Sequence, residues 1–186
     1  MGISQAQFKE YLEAVVIALI LSFLIITFIV QAFYIPSGSM KPTLKPGDRI
    51  FVNKFIYRFH SPERGDVIVF SPHGAPRKKY IKRVIGLPGD TVYIRDYKTY
   101  INGTPLKEEY INERMLGEFG PYQVPKNTVF VLGDNRNHSA DSRFPGLVGY
   151  VDYKSISGKA FWVYWPLTRM RIIKHHDYEE LGDNSG

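Results

Sequence analysis

The amino-terminal part of the chain contains a long apolar segment that restricts the folds available to it. Residues 14–33 include only three polar side chains, and no Asp, Glu, Lys or Arg occurs between Ala14 and Met40. As a helix, the segment would be about 30 Å long, which matches the hydrocarbon thickness of a bilayer. A cleaved secretory signal has a shorter apolar region behind a positive start, and a buried core helix would keep a polar face. The sequence therefore predicts a short polar start at residues 1–11 and a single transmembrane helix at residues 12–33.

The rest of the chain has the pattern of a β-rich domain. Short runs rich in Val, Ile, Tyr and Phe alternate with turn signals such as Lys45-Pro-Gly-Asp48 and Asn102-Gly103. We predict a mainly β fold, with an antiparallel sheet or barrel-like domain at residues 34–170. A small insertion at residues 107–126 is predicted to be a loop or subdomain, and residues 171–186 a polar tail that frays. The predicted strands are residues 48–53, 66–70, 80–85, 91–95, 99–101, 128–132 and 158–164.

Composition narrows the possible partners and cofactors. The formal net charge is +6, but the basic residues are scattered and form no basic helix, so we predict no nucleic-acid partner and favour proximity to an anionic bilayer. The absence of cysteine excludes disulfides, thiolate catalysis and cysteine-ligated zinc. The five histidines form no His-Glu-x-x-His motif, so no metal site is predicted.

A turn-forming segment directly after the apolar run carries a candidate nucleophile. In Ile35-Pro-Ser-Gly-Ser-Met40, Pro36 restricts the backbone while Gly38 lets it bend. A serine on such a turn can point its hydroxyl into a cleft, so we predict Ser39 as the nucleophile and Ser37 as a hydrogen-bond donor to an oxyanion. Taken alone, the stretch could equally be a linker that leaves a membrane helix.

A lysine in the predicted strand at residues 80–85 is the candidate base. Strand alternation puts Tyr80, Lys82 and Val84 on one face, so the amine lies between an aromatic and a branched aliphatic side chain. Desolvation lowers the pKa of a lysine, and a neutral lysine can accept the proton of a serine hydroxyl. Taken alone, a lysine in a strand is more often a solvated or snorkelling surface residue.

A third segment, residues 133–143, alternates carboxylates with guanidinium groups. Its sequence, Gly-Asp-Asn-Arg-Asn-His-Ser-Ala-Asp-Ser-Arg, allows Asp and Arg to pair across a turn and brace the loop. Arg136 and His138 interrupt the acidic pattern, which excludes an EF-hand. The segment is therefore predicted to be a well-satisfied turn.

These segments resemble the motif boxes of type I signal peptidases. Ile35-Pro-Ser-Gly-Ser-Met40, Tyr80-Ile-Lys-Arg83 with Gly86-Leu-Pro-Gly-Asp90, and residues 133–143 follow one another behind an apolar segment in the order of that family. The resemblance spans residues 12–165. It implies a membrane-bound serine endopeptidase with a Ser/Lys dyad that removes signal peptides from exported preproteins and selects small side chains before the cut. It also implies a bacterial plasma-membrane location with the domain outside the cell, residues 1–11 in the cytoplasm, and no cofactor.

The resemblance further implies a role for each site residue. Ser39 would attack the scissile carbonyl, Lys82 would take its proton, and the Ser39 N–H with the Ser37 hydroxyl would hold the oxyanion. Ser139 would hydrogen-bond the lysine amine. The supporting wall would be formed by Asp134, Asp141 and Arg143, and the substrate pockets by Phe33, Ile35, Met40 and Ile81.

Residues 158–166 carry both tryptophans. Alternation predicts Phe161, Val163 and Trp165 on one face and Trp162 and Tyr164 on the other. Aromatic side chains of this kind favour the membrane–water interface, although core packing is their commoner fate.

Two alternative functions remain open from the residues alone. A self-cleaving repressor-type Ser/Lys peptidase shares the chemistry, but it would carry a DNA-binding helix-turn-helix where this chain has its apolar segment. A membrane-tethered β binding module without catalysis would leave the joint presence of the three boxes unexplained.

Overall fold

The structure, a computed structural model, describes residues 4–181. One helix, α1 (Gln5–Phe28), precedes a domain built from antiparallel strands and short 3-10 turns. The strands are β1 (Val30–Tyr34), β2 (Arg49–Asn53), β3 (Val67–Phe70), β4 (Tyr80–Gly86), β5 (Thr91–Arg95), β6 (Lys98–Ile101), β7 (Thr104–Pro105), β8 (Phe119–Gln123), β9 (Thr128–Leu132), β10 (Val151–Asp152), β11 (Ile156–Trp165) and β12 (Arg171–Ile172). The predicted mainly β, antiparallel fold is confirmed, and each predicted strand is present with bounds that differ by a residue or two.

The larger sheet has eight strands in the order β1-β2-β11-β3-β4-β9-β10, with β12 paired to β11. Its central strands β3 and β9 are buried along their whole length, as expected where residues are covered on both faces. β4 lies between these two strands and is buried from Ile81 onward. The strand that carries the candidate base is therefore among the most constrained in the domain.

The smaller sheet has the order β7-β6-β5-β8. β8 comes from the insertion at residues 107–126 and pairs with β5, an element that the sequence did not predict because Gly120-Pro121 is typical of a turn. Gly120 has φ +81°, and an added Cβ there would lie 2.5 Å from the carbonyl oxygen of Val92. Only glycine fits this close approach of two strands.

The apolar segment at residues 12–33 spans two elements. α1 ends at Phe28, and the next residues form β1, whose backbone pairs with β2 from Val30↔Asn53 to Tyr34↔Arg49. The predicted helix boundary at Phe33 is therefore corrected, since cross-strand pairing fixes these last residues as a strand. Within residues 4–181, the structure contains no helix with both the length and the apolar character needed to span a membrane. The predicted transmembrane helix is thus not confirmed.

The carboxy-terminal segment is packed against the domain as far as residue 181. Ile173 and Tyr178 are 8% and 7% exposed and belong to two different core clusters. The Ile173 N–H donates to the carbonyl oxygen of Phe161 at 2.9 Å. The prediction that this tail frays is therefore wrong for residues 171–181, because two isolated apolar side chains anchor it. Residues 182–186 lie outside the described residues.

β11 does not keep a simple alternation. Its pairing with β2 shifts register between Ala160 and Trp162 and again between Val163 and Trp165. As a result, Val163 is fully buried while Trp165 is 49% exposed, although alternation had predicted them on one face.

Candidate active site

The Ser39 turn follows β1 and is anchored by buried apolar neighbours. Met40 and Leu44 are fully buried, and the Leu44 N–H donates to the Met40 carbonyl oxygen at 2.8 Å. From the other side, Asn135 donates its backbone N–H to the Ser39 carbonyl oxygen and its side-chain amide to the Gly38 carbonyl oxygen, both at 3.0 Å. The backbone that carries Ser39 is therefore held by residues 133–143.

Lys82 meets Ser39 across this turn. Its Nζ lies 2.8 Å from Ser39 Oγ and 2.8 Å from the carbonyl oxygen of Ile81. The lysine is 3% exposed, and its position in β4 is fixed by the pairing Ile68↔Lys82 with β3. The structure thus brings together the two residues that the sequence predicted as nucleophile and base.

The electrostatic environment makes this lysine unusual. Burial lowers the pKa of Lys82 from 10.5 to about 8, against the opposing effect of the Asp141 and Asp134 charges, which raise it. Its hydrogen-bond partners are a hydroxyl and a carbonyl, which carry no net charge. A substantial fraction of the amine is therefore neutral near physiological pH and able to accept a proton.

Two further serines lie near the dyad. Ser37 Oγ donates to Ser39 Oγ at 3.4 Å, a long contact that places both hydroxyls on one side of the turn. Ser139 Oγ is buried and has no hydrogen-bond partner among the described residues, so the predicted contact with the lysine amine is not present. Gly133 lies between Ser139 and the Ser39 turn. A Cβ added to Gly133 would lie 2.2 Å from Ser139 Oγ and 2.5 Å from the Ser39 carbonyl oxygen, so Ser139 is close to the turn.

The predicted supporting residues form ion pairs around this turn. Asp134 accepts two hydrogen bonds from Arg83, at 2.9 and 2.8 Å, and a third from Thr43. Asp141 likewise binds Arg143 through both carboxylate oxygens, at 2.8 and 2.9 Å, and also accepts from the Gly133 N–H. Arg83 was not predicted as a site residue, although its position directly after Lys82 in the same strand indicated that it lies near the site.

A cleft of about 450 Å³ opens beside the dyad. Of the predicted pocket residues, Ile81 lines it, whereas Ile35 and Met40 are core residues at 3% and 0% exposure and Phe33 packs against the same core cluster. The prediction of these three as cleft walls is therefore corrected, because they anchor the turn from below. The cleft is lined by residues 36–39 and 79–82 together with Asn135, His138 and Ala140.

The chain is similar to known proteins over most of its length. A curated relative from Synechocystis sp., named probable signal peptidase I-2, is 43% identical and is matched over 87% of this chain and 75% of its own. Signal peptidase I P from Bacillus subtilis subsp. natto is 42% identical, with 89% and 93% covered. A crystal structure of a signal peptidase I from Enterococcus faecalis has a TM-score of 0.46 and 38% identity, covering 54% of this chain and 97% of that one. The family model described as signal peptidase, peptidase S26, matches residues 8–165. This chain belongs to the S26 signal peptidase family.

A buried ion pair that the sequence did not reveal supports the site of this S26 peptidase. Arg136 donates to both carboxylate oxygens of Glu108, at 2.6 and 2.5 Å, and to the Tyr110 hydroxyl at 3.1 Å. Although burial alone would raise the pKa of Glu108, the Arg136 charge lowers it below its usual value. The Tyr110 hydroxyl also contacts that of Tyr178 at 2.6 Å. The insertion and the carboxy-terminal segment thus brace the loop that holds Ser39.

A second group of titratable residues lies away from the dyad. Ligand atoms of Glu63, Asp66 and His175 lie within 4.8 Å of one another. Asp66 already accepts from the Tyr57 hydroxyl at 2.8 Å and lies 2.5 Å from the ammonium of Lys159, while His175 contacts it at 3.1 Å. The hydrogen bond to Asp66 raises the pKa of His175. These residues form an internal ion network, and the adjacent ammonium disfavours a metal ion there.

Removal of the Glu108 charge should destabilise the fold. Glu108→Gln leaves the Arg136 guanidinium buried without its carboxylate, so we expect the free energy of unfolding to fall by about 3–5 kcal/mol. Urea denaturation of the full chain in mild detergent measures this change. The neighbouring Glu109 is exposed, and Glu109→Gln should change the free energy by less than about 0.5 kcal/mol. Equal unfolding midpoints for the two variants would contradict the structural role of the pair.

Proposed function

We propose that this chain removes amino-terminal signal peptides from exported preproteins, with Ser39 as nucleophile and Lys82 as general base. The observation that carries the proposal is the 2.8 Å contact between Lys82 Nζ and Ser39 Oγ in a buried site. Membership of the S26 family, matched over residues 8–165, supports the substrate class. The relatives reported above are named signal peptidase I, which supports the same reaction here.

The proposed reaction is an acyl transfer to Ser39 followed by hydrolysis. Neutral Lys82 takes the proton from Ser39 Oγ as the oxygen attacks the scissile carbonyl carbon, and the carbonyl becomes an oxyanion. The Ser37 hydroxyl and the Ser39 N–H are the donors we assign to that oxyanion. When the tetrahedral intermediate collapses, the carbon–nitrogen bond breaks and the lysine ammonium returns the proton to the leaving amine. Water then attacks the ester formed on Ser39, with Lys82 again accepting a proton. The bond between the acyl carbon and Ser39 Oγ breaks, Lys82 returns the proton to Ser39 Oγ, and the signal peptide leaves with a free carboxyl group.

The position of the cleft supports binding of an extended peptide. Residues 80–82 line the cleft and precede the part of β4 that pairs with β9, which begins at Arg83. A substrate strand can therefore add beside this stretch, with main-chain hydrogen bonds giving affinity and alternate side chains giving selectivity. Ile81 provides an apolar wall for a small side chain before the cut.

Substitution of the dyad should abolish cleavage while the fold is retained. Purified full chain in detergent micelles should process a preprotein, whereas Ser39→Ala and Lys82→Arg should not, because alanine has no nucleophile and a guanidinium does not release its proton. His60→Ala is a control for the effect of an unrelated substitution and should process the preprotein, since His60 is exposed and does not line the cleft. Appearance of the mature product on gels measures the reaction. Near-normal turnover by Lys82→Arg would overturn the assignment of the base.

The rate should depend on pH through the lysine. Only the neutral amine accepts a proton, so kcat/KM should rise with pH through an apparent pKa of about 8 and level off above it. At pH 7, about a tenth of the enzyme would hold the neutral amine, compared with less than a thousandth for a lysine of ordinary pKa. A pH series with a peptide that does not itself titrate measures the midpoint. A midpoint near 10.5 or near 6.5 would indicate an unperturbed lysine or a histidine as the base.

We further propose that α1 attaches the enzyme to the bacterial plasma membrane as a single pass, with the catalytic domain outside and residues 1–11 in the cytoplasm. Large apolar side chains on α1 are more than half exposed, among them Leu12, Leu19 and Phe23. Exposed apolar surface of this extent calls for a lipid or protein partner. Only β1 separates α1 from the Ser39 turn, which would keep the cleft close to the bilayer surface.

The proposed topology has a direct test in cells. Protease added to intact spheroplasts should digest the catalytic domain, because it would lie outside the plasma membrane, while a cytoplasmic marker protein stays intact. The chain should also stay with the membrane pellet after a carbonate wash. Protection of the domain until the spheroplasts are lysed would reverse the topology, and release by carbonate would exclude a spanning helix.

A further inference from the structure

A run of basic residues lies directly before β4, at one end of the catalytic cleft. Arg77, Lys78 and Lys79 are consecutive and exposed. Within residues 4–181, no carboxylate forms an ion pair with any of them. This basic segment, residues 77–79, therefore presents positive charge that the protein itself does not neutralise.

Lys79 connects two clefts. It lines the catalytic cleft with Ser39 and Lys82, and it also lines a second cleft of about 490 Å³. Its Nζ donates to the hydroxyls of Ser71 at 2.8 Å and Ser157 at 2.9 Å. Hydroxyl groups orient an ammonium without cancelling its charge, and one N–H remains for a further acceptor.

The charged side chains that line the second cleft carry a small excess of positive charge. Besides Lys79, the lining includes Lys154 and His73, with Asp152 as its one carboxylate among the described residues. Its volume of about 490 Å³ leaves room for a side chain as long as that of glutamate. The chemistry that complements this lining is a carboxylate.

The direction of the substrate follows from the proposed function, on which this inference rests. If Lys82 marks the cut and Ile81 contacts side chains before it, the path from Lys82 to Lys79 leads towards the signal peptide. The two lysines are three residues apart in nearly extended backbone, about 10 Å. An extended peptide beside this stretch has the same rise per residue, so if its first residue before the cut lies beside Lys82, its fourth lies beside Lys79.

We propose that the basic segment and the adjoining second cleft form a selectivity subsite for an acidic side chain at the fourth residue before the cut. A carboxylate there accepts the free N–H of Lys79 and lies within the field of Arg77 and Lys78. The site is exposed to solvent, so the gain is modest and sensitive to salt. It adds a charge preference to the selection of small side chains closer to the cut.

The subsite can be tested with four peptides that share one parent sequence and differ only at a single residue within each pair. One pair has Glu or Gln at the fourth residue before the cut, and the other pair has Glu or Gln at the second residue after it. For the first pair, we expect kcat/KM to be about threefold higher for Glu at low ionic strength and the preference to fade in high salt. For the second pair, the two values should be equal.

Matched enzyme variants test whether the preference for Glu over Gln depends on residues 77–79. The triple variant Arg77→Gln, Lys78→Gln, Lys79→Gln should reduce the Glu-to-Gln ratio to about one, whereas Lys98→Gln, an exposed lysine on the smaller sheet, should keep it. Lys79→Glu should reverse the preference towards a peptide with Lys at the same residue. Circular dichroism spectra and urea unfolding midpoints that match those of the wild type show that each variant is folded.

The possible outcomes distinguish failure of the proposed subsite from failure of the proposed signal-peptidase function. Equal cleavage of the first Glu and Gln pair by the wild type would overturn the subsite while leaving the signal-peptidase function standing. A ratio that the triple variant keeps, or a preference for Glu after the cut, would also overturn it. Failure of the wild-type enzyme to cleave any of the four peptides, or a preprotein, would remove both proposals.

Discussion

The site depends on the burial of an amine without a carboxylate partner. Lys82 and Arg83 are neighbours in β4, and both side chains are almost completely buried. Arg83 binds Asp134 through two hydrogen bonds, so its charge is compensated and its pKa is raised despite burial. Lys82 contacts only the uncharged oxygens of Ser39 and Ile81 within hydrogen-bond distance, and burial lowers its pKa to about 8. Strand alternation thus lets one short segment hold a permanent cation on one face and a proton acceptor on the other.

Compensated charges hold the nucleophile opposite that amine. The loop at residues 133–143 is tied to β4 by Asp134 and Arg83, to the insertion by Arg136 and Glu108, and to itself by Asp141 and Arg143. Buried ion pairs add little net stability, but breaking one is costly, so they fix a loop in one geometry. Asn135 extends that geometry to the backbone of Ser39 and Gly38. The carboxy-terminal segment joins the same network through Tyr178, which explains why it is packed.

The sequence predicted those features that depend on a local pattern of residues. It did not predict features that depend on contacts between residues distant in the chain. Alternating β-branched and aromatic residues located the strands around the dyad, and the three boxes indicated Ser39 and Lys82. Met40 and Ile35 were expected as cleft walls because of the family resemblance, and a match of sequence positions does not distinguish a wall from the core beneath it; both are buried. Glu108 was hidden in a charged insertion, and Tyr178 in a polar tail, because their partners are distant in the chain. The shifts in β11 are likewise invisible to a strict period of two.

Two lysines near the start of β4, Lys79 and Lys82, differ in exposure and therefore in the role we assign to each. Lys82 is enclosed by the sheet, the Ser39 turn and the loop at residues 133–143, and it contacts the nucleophile. Lys79 lies three residues earlier, where the chain enters the strand, and its ammonium contacts two hydroxyls at the surface. Desolvation favours the neutral form of the buried Lys82 amine and lowers its pKa to about 8. Since an extended peptide has the same rise per residue as the strand beside it, the three-residue separation of Lys79 and Lys82 sets a fixed spacing between the cut and any charge the enzyme can select.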